Sequence, residues 1–358
     1  MIFALPSTVS QLPVFVISNF NCRRTIKATT GKYARLADSC VVTECENTAI
    51  MVAVVGKPCS SPSMITPLTV DFRQKTAAYG RIPTNFFRRD RGASEQEILT
   101  GRLVDRSIRP LFPANYNYEI QVTCNILSID EKGDPEVLAI NAASAALAHS
   151  SLPWNGPVGA VRVCCIDNEI VINPPRSVVR ESPFNILLVG FNSSVVMLDL
   201  SANGVRETVL FPAIKSGIAE CDLVASKILS AAKISGRPKQ GMPDPVNADK
   251  TEVDECVKVL CEFKIKNIFK KFYHDKMSRD YELKETLKWA VSVLIKENSS
   301  FEEHSITESF YKAAKKTYRT LIMEEEMRYG TFCIVITVTK AVTYFIFPSL
   351  SVGVMAVD

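Results

Sequence analysis

Over roughly the first two thirds of the chain, apolar positions come in short runs of strand length, broken by three longer stretches at helical spacing. Residues Thr30 to Val55 read as paired strands, and Thr48 to Val55 is an apolar run suited to a buried strand. After a Pro- and Ser-rich loop from Lys57 to Pro62, Leu68 to Arg73 and Gln121 to Ile129 predict further strands. Two hairpins follow: Val158–Ile166 with Glu169–Ile172 about Asp167-Asn168, and Phe184–Val189 with Val195–Leu200 about Phe191 to Ser194.

The helices announce themselves at their ends. Ser94 and Glu97 form an S-x-x-E capping box, and the helix they open should run to about Arg109, before Pro110. Asp134-Pro135 supplies an N-cap and a proline at the first helical position. The helix it starts, through His149, is rich in alanine, which predicts a buried central helix with His149 as a structural residue whose positive imidazole suits the helix end. A third helix spans about Glu207 to Ala232. This order predicts an α+β sheet domain. Ser235-Gly236-Arg237-Pro238 to Asp244-Pro245 reads as a linker, and from Asp249 to about Arg328 the pattern is helical only, as in Cys256–Phe272 and Tyr281–Lys296. The domain reading is an N-terminal extension (1–27), a core domain (28–234), a linker (235–248), an all-α domain (249–328) and an irregular hydrophobic tail (329–358).

Composition changes this picture little. With 47% hydrophobic and 22% charged residues, the chain can bury a sizeable core. A net charge of +4 permits a polyanionic partner without requiring one, so local clustering matters more. The 11 cysteines never fall in a C-x-x-C spacing and there are three histidines, which argues for free thiols and against zinc. Met1 to Val16 is apolar and uncharged, unlike a secretory signal or an Arg-rich transit peptide; Arg23, Arg24 and Lys27, with no acid before Asp38, give weak support to a mitochondrial presequence. The tail from Thr331 to Val357 is long enough to be weighed as a membrane span, but Lys340, Pro348 and its β-branched content weigh against one.

The candidate chemistry lies just before and within the capped helix. Phe72 to Arg89 holds Arg73, Lys75, Arg81, Arg88 and Arg89 and no acid, and it ends in Phe86-Phe87-Arg88-Arg89. Rings stack on unpaired bases and guanidiniums fork onto phosphates, so this loop suits a single-stranded polyanion. Arg102, Arg106 and Arg109, spaced by four and three, fall on one helical face and extend the path. The alternative is a core diphenylalanine and a solvated arginine stripe paired with Asp90, Glu95, Glu97 and Asp105. Ser144 on the alanine-rich helix is expected to pack rather than bind phosphate.

Several long strings in order resemble polynucleotide phosphorylase, most closely its animal mitochondrial form: Gly80-Arg81-Ile82-Pro83-Thr84-Asn85-Phe86-Phe87-Arg88-Arg89, then Arg102-Leu103-Val104-Asp105-Arg106-Ser107-Ile108-Arg109-Pro110-Leu111-Phe112-Pro113, then Leu152-Pro153-Trp154-Asn155-Gly156-Pro157-Val158-Gly159-Ala160-Val161-Arg162. The resemblance spans about Thr30 to Arg328. It implies an RNase PH-like core (ribosomal protein S5 domain 2-like) followed by the family's all-α RNA-binding or linker domain. It also implies phosphate-dependent 3′–5′ degradation of single-stranded RNA to nucleoside diphosphates, with Mg²⁺ or Mn²⁺ and inorganic phosphate, in a mitochondrial homotrimeric ring, without DNA or membrane as partners. After Arg328 the resemblance stops, and the family's second core, where its catalytic acids lie, does not follow; this points to a truncated isoform or gene product. In Arg180-Glu181-Ser182-Pro183-Phe184-Asn185, Glu181 is the one carboxylate where the family's active core has closely spaced aspartates. No catalytic or metal residue is therefore expected in this chain, which is read as an RNA-contacting, ring-assembling fragment, with a non-enzymatic RNA-binding or assembly subunit as the alternative.

Overall fold

The computed structural model describes residues 14–18, 25–58, 67–90, 92–113, 116, 118–130, 132–166, 169–240, 248–271, 275–297, 301, 303–324, 327–328, 331–332, 335–338, 342–345 and 353–355. The chain divides into two compact units, Met1–Pro243 and Asp244–Asp358. In the first, a six-stranded sheet is formed by β1 (Val14–Ser18), β2 (Thr25–Thr30), β3 (Ser39–Cys45), β4 (Thr48–Pro58), β5 (Leu68–Arg73) and, after α1 (Glu95–Ile108), β6 (Tyr118–Ser128). Its order is β1-β2-β3-β4-β6-β5, antiparallel except for the parallel pair β5–β6. The sheet thus begins inside the segment read as an extension, since Val14–Ser18 pairs with Thr25–Thr29.

Next come α2 (Pro135–His149), β7 (Gly159–Ile166), β8 (Glu169–Ile172), the one-turn α3 (Arg176–Val179), β9 (Phe184–Phe191), β10 (Ser194–Ala202) and α4 (Glu207–Ser235). The four strands form an antiparallel sheet in the order β10-β9-β7-β8. Asn192 and Ser193, with φ of 47° and 59°, turn β9 into β10, which is the left-handed geometry a two-residue hairpin turn requires. The turn predicted at Asp167-Asn168 lies outside the described residues, as do residues 59–62 of the first loop and 241–247 of the linker.

The core is organised around α2. Apart from Glu136, every residue of this helix is buried, against the six-stranded sheet, β7, α1 and α4. Alanine makes this close approach possible, and the few polar side chains are all paired. Asn141 donates to Ala160 O (2.9 Å) and accepts from Ala160 N (2.8 Å). Ser144 does the same with Val158 (2.7 and 3.0 Å), so it packs, as expected.

His149 is structural, as expected, but its surroundings do not favour a positive charge. Its Nδ1 lies 2.8 Å from Ala145 O, so that nitrogen carries the proton, and Nε2 meets the Ser235 hydroxyl at 3.1 Å. Burial, with Lys239 nearby, holds its pKa below the usual histidine value, which disfavours the positive imidazole. The stretch read as the start of the linker is also tied down: Arg237 N donates to His149 O (3.0 Å), Gln240 N to Ser151 O (2.7 Å), and Lys239 Nζ to Leu147 O and Ser150 O (2.7 and 2.9 Å).

The second unit contains α5 (Ala248–Lys270), α6 (Lys276–Glu297) and α7 (Glu303–Glu324), packed on a core that includes Val257, Ile265, Leu294, Ile306 and Phe310. Its tail is not irregular throughout. β11 (Met327–Arg328) pairs with β12 (Thr331–Phe332), and β13 (Val335–Val338), β14 (Val342–Phe345) and β15 (Gly353–Met355) form a small antiparallel sheet. Among the described residues no helix is long and apolar enough to cross a membrane.

The tightest joint between sheet and helix is at Gly159, where a Cβ would lie 2.1 Å from the backbone oxygen of Cys221 in α4. Neither strand nor helix backbone can yield cheaply there. Gly159→Ala should therefore destabilise the first unit by about 1–3 kcal/mol or more, seen as a lower urea midpoint at unchanged slope; an unchanged midpoint would contradict this packing.

Candidate nucleic-acid interface

The loop before α1 is held by its own backbone. Asn85 O accepts from Arg88 N (2.9 Å), and the Asn85 side chain accepts from Arg89 N (3.1 Å) and donates to Arg89 O (2.6 Å). Arg88 sits at φ +48°, in the left-handed region. Farther out, the Thr76 hydroxyl donates to Asp90 at 2.5 Å and joins the two ends of the loop. The result is a tight turn with Phe86 and Phe87 at its tip. They are 93% and 65% exposed and meet edge to face with centroids 5.3 Å apart. The diphenylalanine is therefore not core. Asn85 went unnoticed in the sequence, although asparagine bonding to the backbone just downstream is an ordinary turn signal.

Helix α1 is fixed at both ends. The predicted capping box is present: Ser94 Oγ accepts from Glu97 N (3.3 Å) and Glu97 Oε2 accepts from Ser94 N (2.6 Å). The other Glu97 oxygen accepts from Gln74 N at 2.6 Å and so links the helix to the basic segment. At the far end, Trp154 Nε1 donates to Ile108 O (3.0 Å), and its ring joins Phe112 and Tyr116 in an aromatic cluster.

The three helix arginines do not share one fate. Arg102 and Arg106 are exposed, and among the described residues neither they nor Arg88 and Arg89 make an ion pair. Arg109 is different. It bonds Asp105 through Nε (2.9 Å) and Nη2 (2.6 Å), and Nη2 also reaches Leu68 O on β5 (3.1 Å). Its guanidinium is thus engaged within the fold. Arg102 and Arg109 both line a groove of about 350 Å³ between α1 and β5, but Asp71, Glu97 and Asp105 line it too. The groove is mixed in charge; Arg102 lines it without an ion pair among the described residues, and Arg88, Arg89 and Arg106 are likewise outside ion pairs there.

A second constellation was not singled out from the sequence. Arg162 on β7 is almost buried and pairs with Asp134 and Glu136 at the start of α2, while its Nη1 donates to Asn185 on β9 (2.8 Å). Asn185 ends the stretch where the resemblance places catalytic acids, and Glu181 in that stretch is exposed. A Mg²⁺ or Mn²⁺ ion needs several converging oxygens. Among the described residues no three acids, histidines or cysteines converge, and the two nearest carboxylates are held by Arg162. Among the described residues this donor set does not fit the metal.

With this geometry in hand, comparison with known proteins is decisive for the fold. Residues 23–153 match the model of the 3′ exoribonuclease family, domain 1. The crystal structure of rice (Oryza sativa) Rrp46 superimposes with a TM-score of 0.50 at 17% identity, covering 60% of this chain and 97% of that one. The first unit has the RNase PH fold. A structure described as the Archaeoglobus fulgidus exosome with RNA bound to the active site also aligns, with a TM-score of 0.45 and 17% identity over 56% of this chain and 86% of that one. In this RNase PH-type core, the turn bearing Phe86 and Phe87 lies inside the family match, and the Arg162 cluster involves β7 and β9 beyond its end.

Glu97 joins turn and helix as a carboxylate. Partial burial alone would raise its pKa, but hydrogen bonds from Gln74 and Ser94 and the charge of Arg73 outweigh it and hold the pKa below 4.5. A depressed carboxylate contributes stability above its unfolded pKa, and that contribution is lost as pH falls through the folded one. Glu97→Gln should therefore be less stable than the parent at about pH 7, with the gap shrinking below 4.5 and closing in stronger acid. Urea unfolding of both chains across this range checks it; a gap independent of pH would remove the carboxylate from the joint.

Proposed function

We propose that this chain is an RNA-contacting, ring-assembling protein of the polynucleotide phosphorylase type that does not itself perform phosphorolysis. The observation that carries the RNA reading is the turn at residues 85–89: two exposed rings beside two arginines that make no ion pair among the described residues, tied by the hydrogen bonds of Asn85. Stacking is indifferent to base identity, and arginines track the backbone, so the partner is single-stranded RNA with little sequence preference. Arg102 and Arg106 continue the contact, whereas Arg109 supports it from within. By the resemblance, the assembly is a homotrimer and the compartment mitochondrial.

The lack of turnover is argued from chemistry. Cleaving a phosphodiester with phosphate brings two anions together, so a divalent ion or a dense cationic clamp must offset the repulsion. Asp134 and Glu136 are committed to Arg162, and among the described residues the exposed Glu181 belongs to no group of three or more potential metal ligands. This favours the second reading, a non-enzymatic RNA-binding or assembly subunit, over an autonomous enzyme.

Two measurements test the proposal. Phe86→Ala/Phe87→Ala should weaken single-stranded RNA binding at low salt by about 1–3 kcal/mol per stacked base lost, while Arg88→Ala/Arg89→Ala should reduce the logarithmic salt slope by about 0.7 per phosphate contact removed. Unchanged affinity in the diphenylalanine variant excludes the stacking platform. Incubated with single-stranded RNA, phosphate and Mg²⁺ or Mn²⁺, the purified chain should release no nucleoside diphosphate; release that disappears in Glu181→Gln would place an active site in this core.

A further inference from the structure

At the end of α2 away from the Arg162 cluster, a second polar groove of about 280 Å³ lies between the β2–β3 loop and the segment following α4. Its lining includes Tyr33, Arg35, Asp38, Ser39, His149 and Arg237. We infer that this groove binds a phosphoryl anion, held by the Arg35 and Arg237 guanidiniums, with the buried Ser39 hydroxyl as a further donor from the same lining.

Three observations carry the inference. The first is charge. Arg35 and Arg237 line the groove from separate elements, and among the described residues neither is in an ion pair. Asp38 is the one acid in the lining, and one of its oxygens is already engaged by Gly56 N–H at 2.6 Å. Lys32, 5.1 Å from the Tyr33 ring centroid, adds a third cation close by. Two planar guanidiniums facing one groove are the donors that phosphate oxygens select.

The second observation is the orphan donor. Ser39 is 7% exposed, and among the described residues its hydroxyl has no hydrogen-bond partner. A buried hydroxyl without a partner is destabilising, and a bound oxyanion supplies the missing acceptor.

The third removes an objection. A helix C-terminus repels anions through its free carbonyls, but several at this end of α2 are already engaged. Ala145 O accepts from His149 Nδ1, Leu147 O and Ser150 O from Lys239 Nζ, and His149 O from Arg237 N. The last of these bonds fixes the backbone of Arg237 beside the groove. The shared ligand chemistry is a phosphate group; the half-exposed Tyr33 ring gives a nucleoside monophosphate an additional face that free phosphate does not use.

The test is titration of the full chain with inorganic phosphate, followed by calorimetry and by the thermal midpoint at fixed ionic strength maintained with chloride. Binding should saturate in the parent and weaken at least about tenfold in Arg35→Ala/Arg237→Ala, as expected for the loss of charge-assisted bonds. It should persist in Arg88→Ala/Arg89→Ala, which separates this site from the turn. Ser39→Ala, which removes the buried donor without removing charge, should weaken binding by a smaller factor, and circular dichroism verifies that each variant is folded. Adenosine monophosphate binding more tightly than phosphate, with the difference abolished in Tyr33→Ala, identifies a nucleotide as the ligand; equal affinities identify free phosphate. A midpoint shift that chloride reproduces, or saturable binding that survives the double arginine variant, overturns the inference.

Discussion

The interaction on which the first unit depends is the burial of α2. A helix surrounded by two sheets and two other helices cannot expose a polar face, and it cannot carry large side chains without forcing its neighbours apart. Alanine solves the second problem, and reciprocal hydrogen bonds solve the first. Asn141 and Ser144 each give and receive a bond from one residue of the segment leading through β7, so they also fix where that strand lies along the helix. Apolar residues at these positions would leave the peptide groups of Ala160 and Val158 without those partners. Polarity in this core acts as registration between helix and strand, and the glycine at 159 lets α4 close over the same place.

The candidate interface depends on that core at one remove. The turn carrying Phe86 and Phe87 has little apolar support of its own, and its shape comes from Asn85, the Thr76–Asp90 bond and the reach of Glu97 to Gln74. Glu97 in turn belongs to α1, whose far end is held by Trp154. Exposed aromatic rings are thereby displayed from a rigid base, which limits the conformational entropy lost when a flexible strand is ordered on them. It also explains the division among the arginines: the one nearest the sheet, Arg109, fastens α1 to β5, while those facing outward keep their charge available.

Much of this was legible in the sequence, and the reasons are specific. The capping box at Ser94–Glu97, Asp134-Pro135 and the strand runs are signals written within a few residues, and they place α1, α2 and most strands close to where they lie. What could not be read were relations across distance. Nothing local to Arg109 says that Asp105 and Leu68 O converge on it. His149 looked suited to a positive charge at a helix end, but burial and the nearby Lys239 push its pKa down and disfavour that charge. Ser235 to Gln240 has a linker's composition, yet its backbone and Lys239 cap the carbonyls of α2. The exposure of Phe86 and Phe87 was likewise undecidable from composition, since the same pair serves equally well in a core.

Arg162 shows most clearly why a site cannot be judged from its acids alone. Asp134 is a helix cap, Glu136 lies in the first helical turn, and Asn185 begins a strand; each has an ordinary structural reading. Brought together around a nearly buried guanidinium, they form a closed set in which the opposite charges offset one another's desolvation. Removing Arg162 would leave two carboxylates close to each other and partly out of water, so the arginine is required by the acids as much as they are by it. The same pairing withholds those carboxylates from a metal ion, because a cation would have to displace a guanidinium that already makes bidentate, charge-assisted contacts. Stability of the β7–α2 joint and availability for metal chemistry therefore compete for the same oxygens, and in this chain the joint has them.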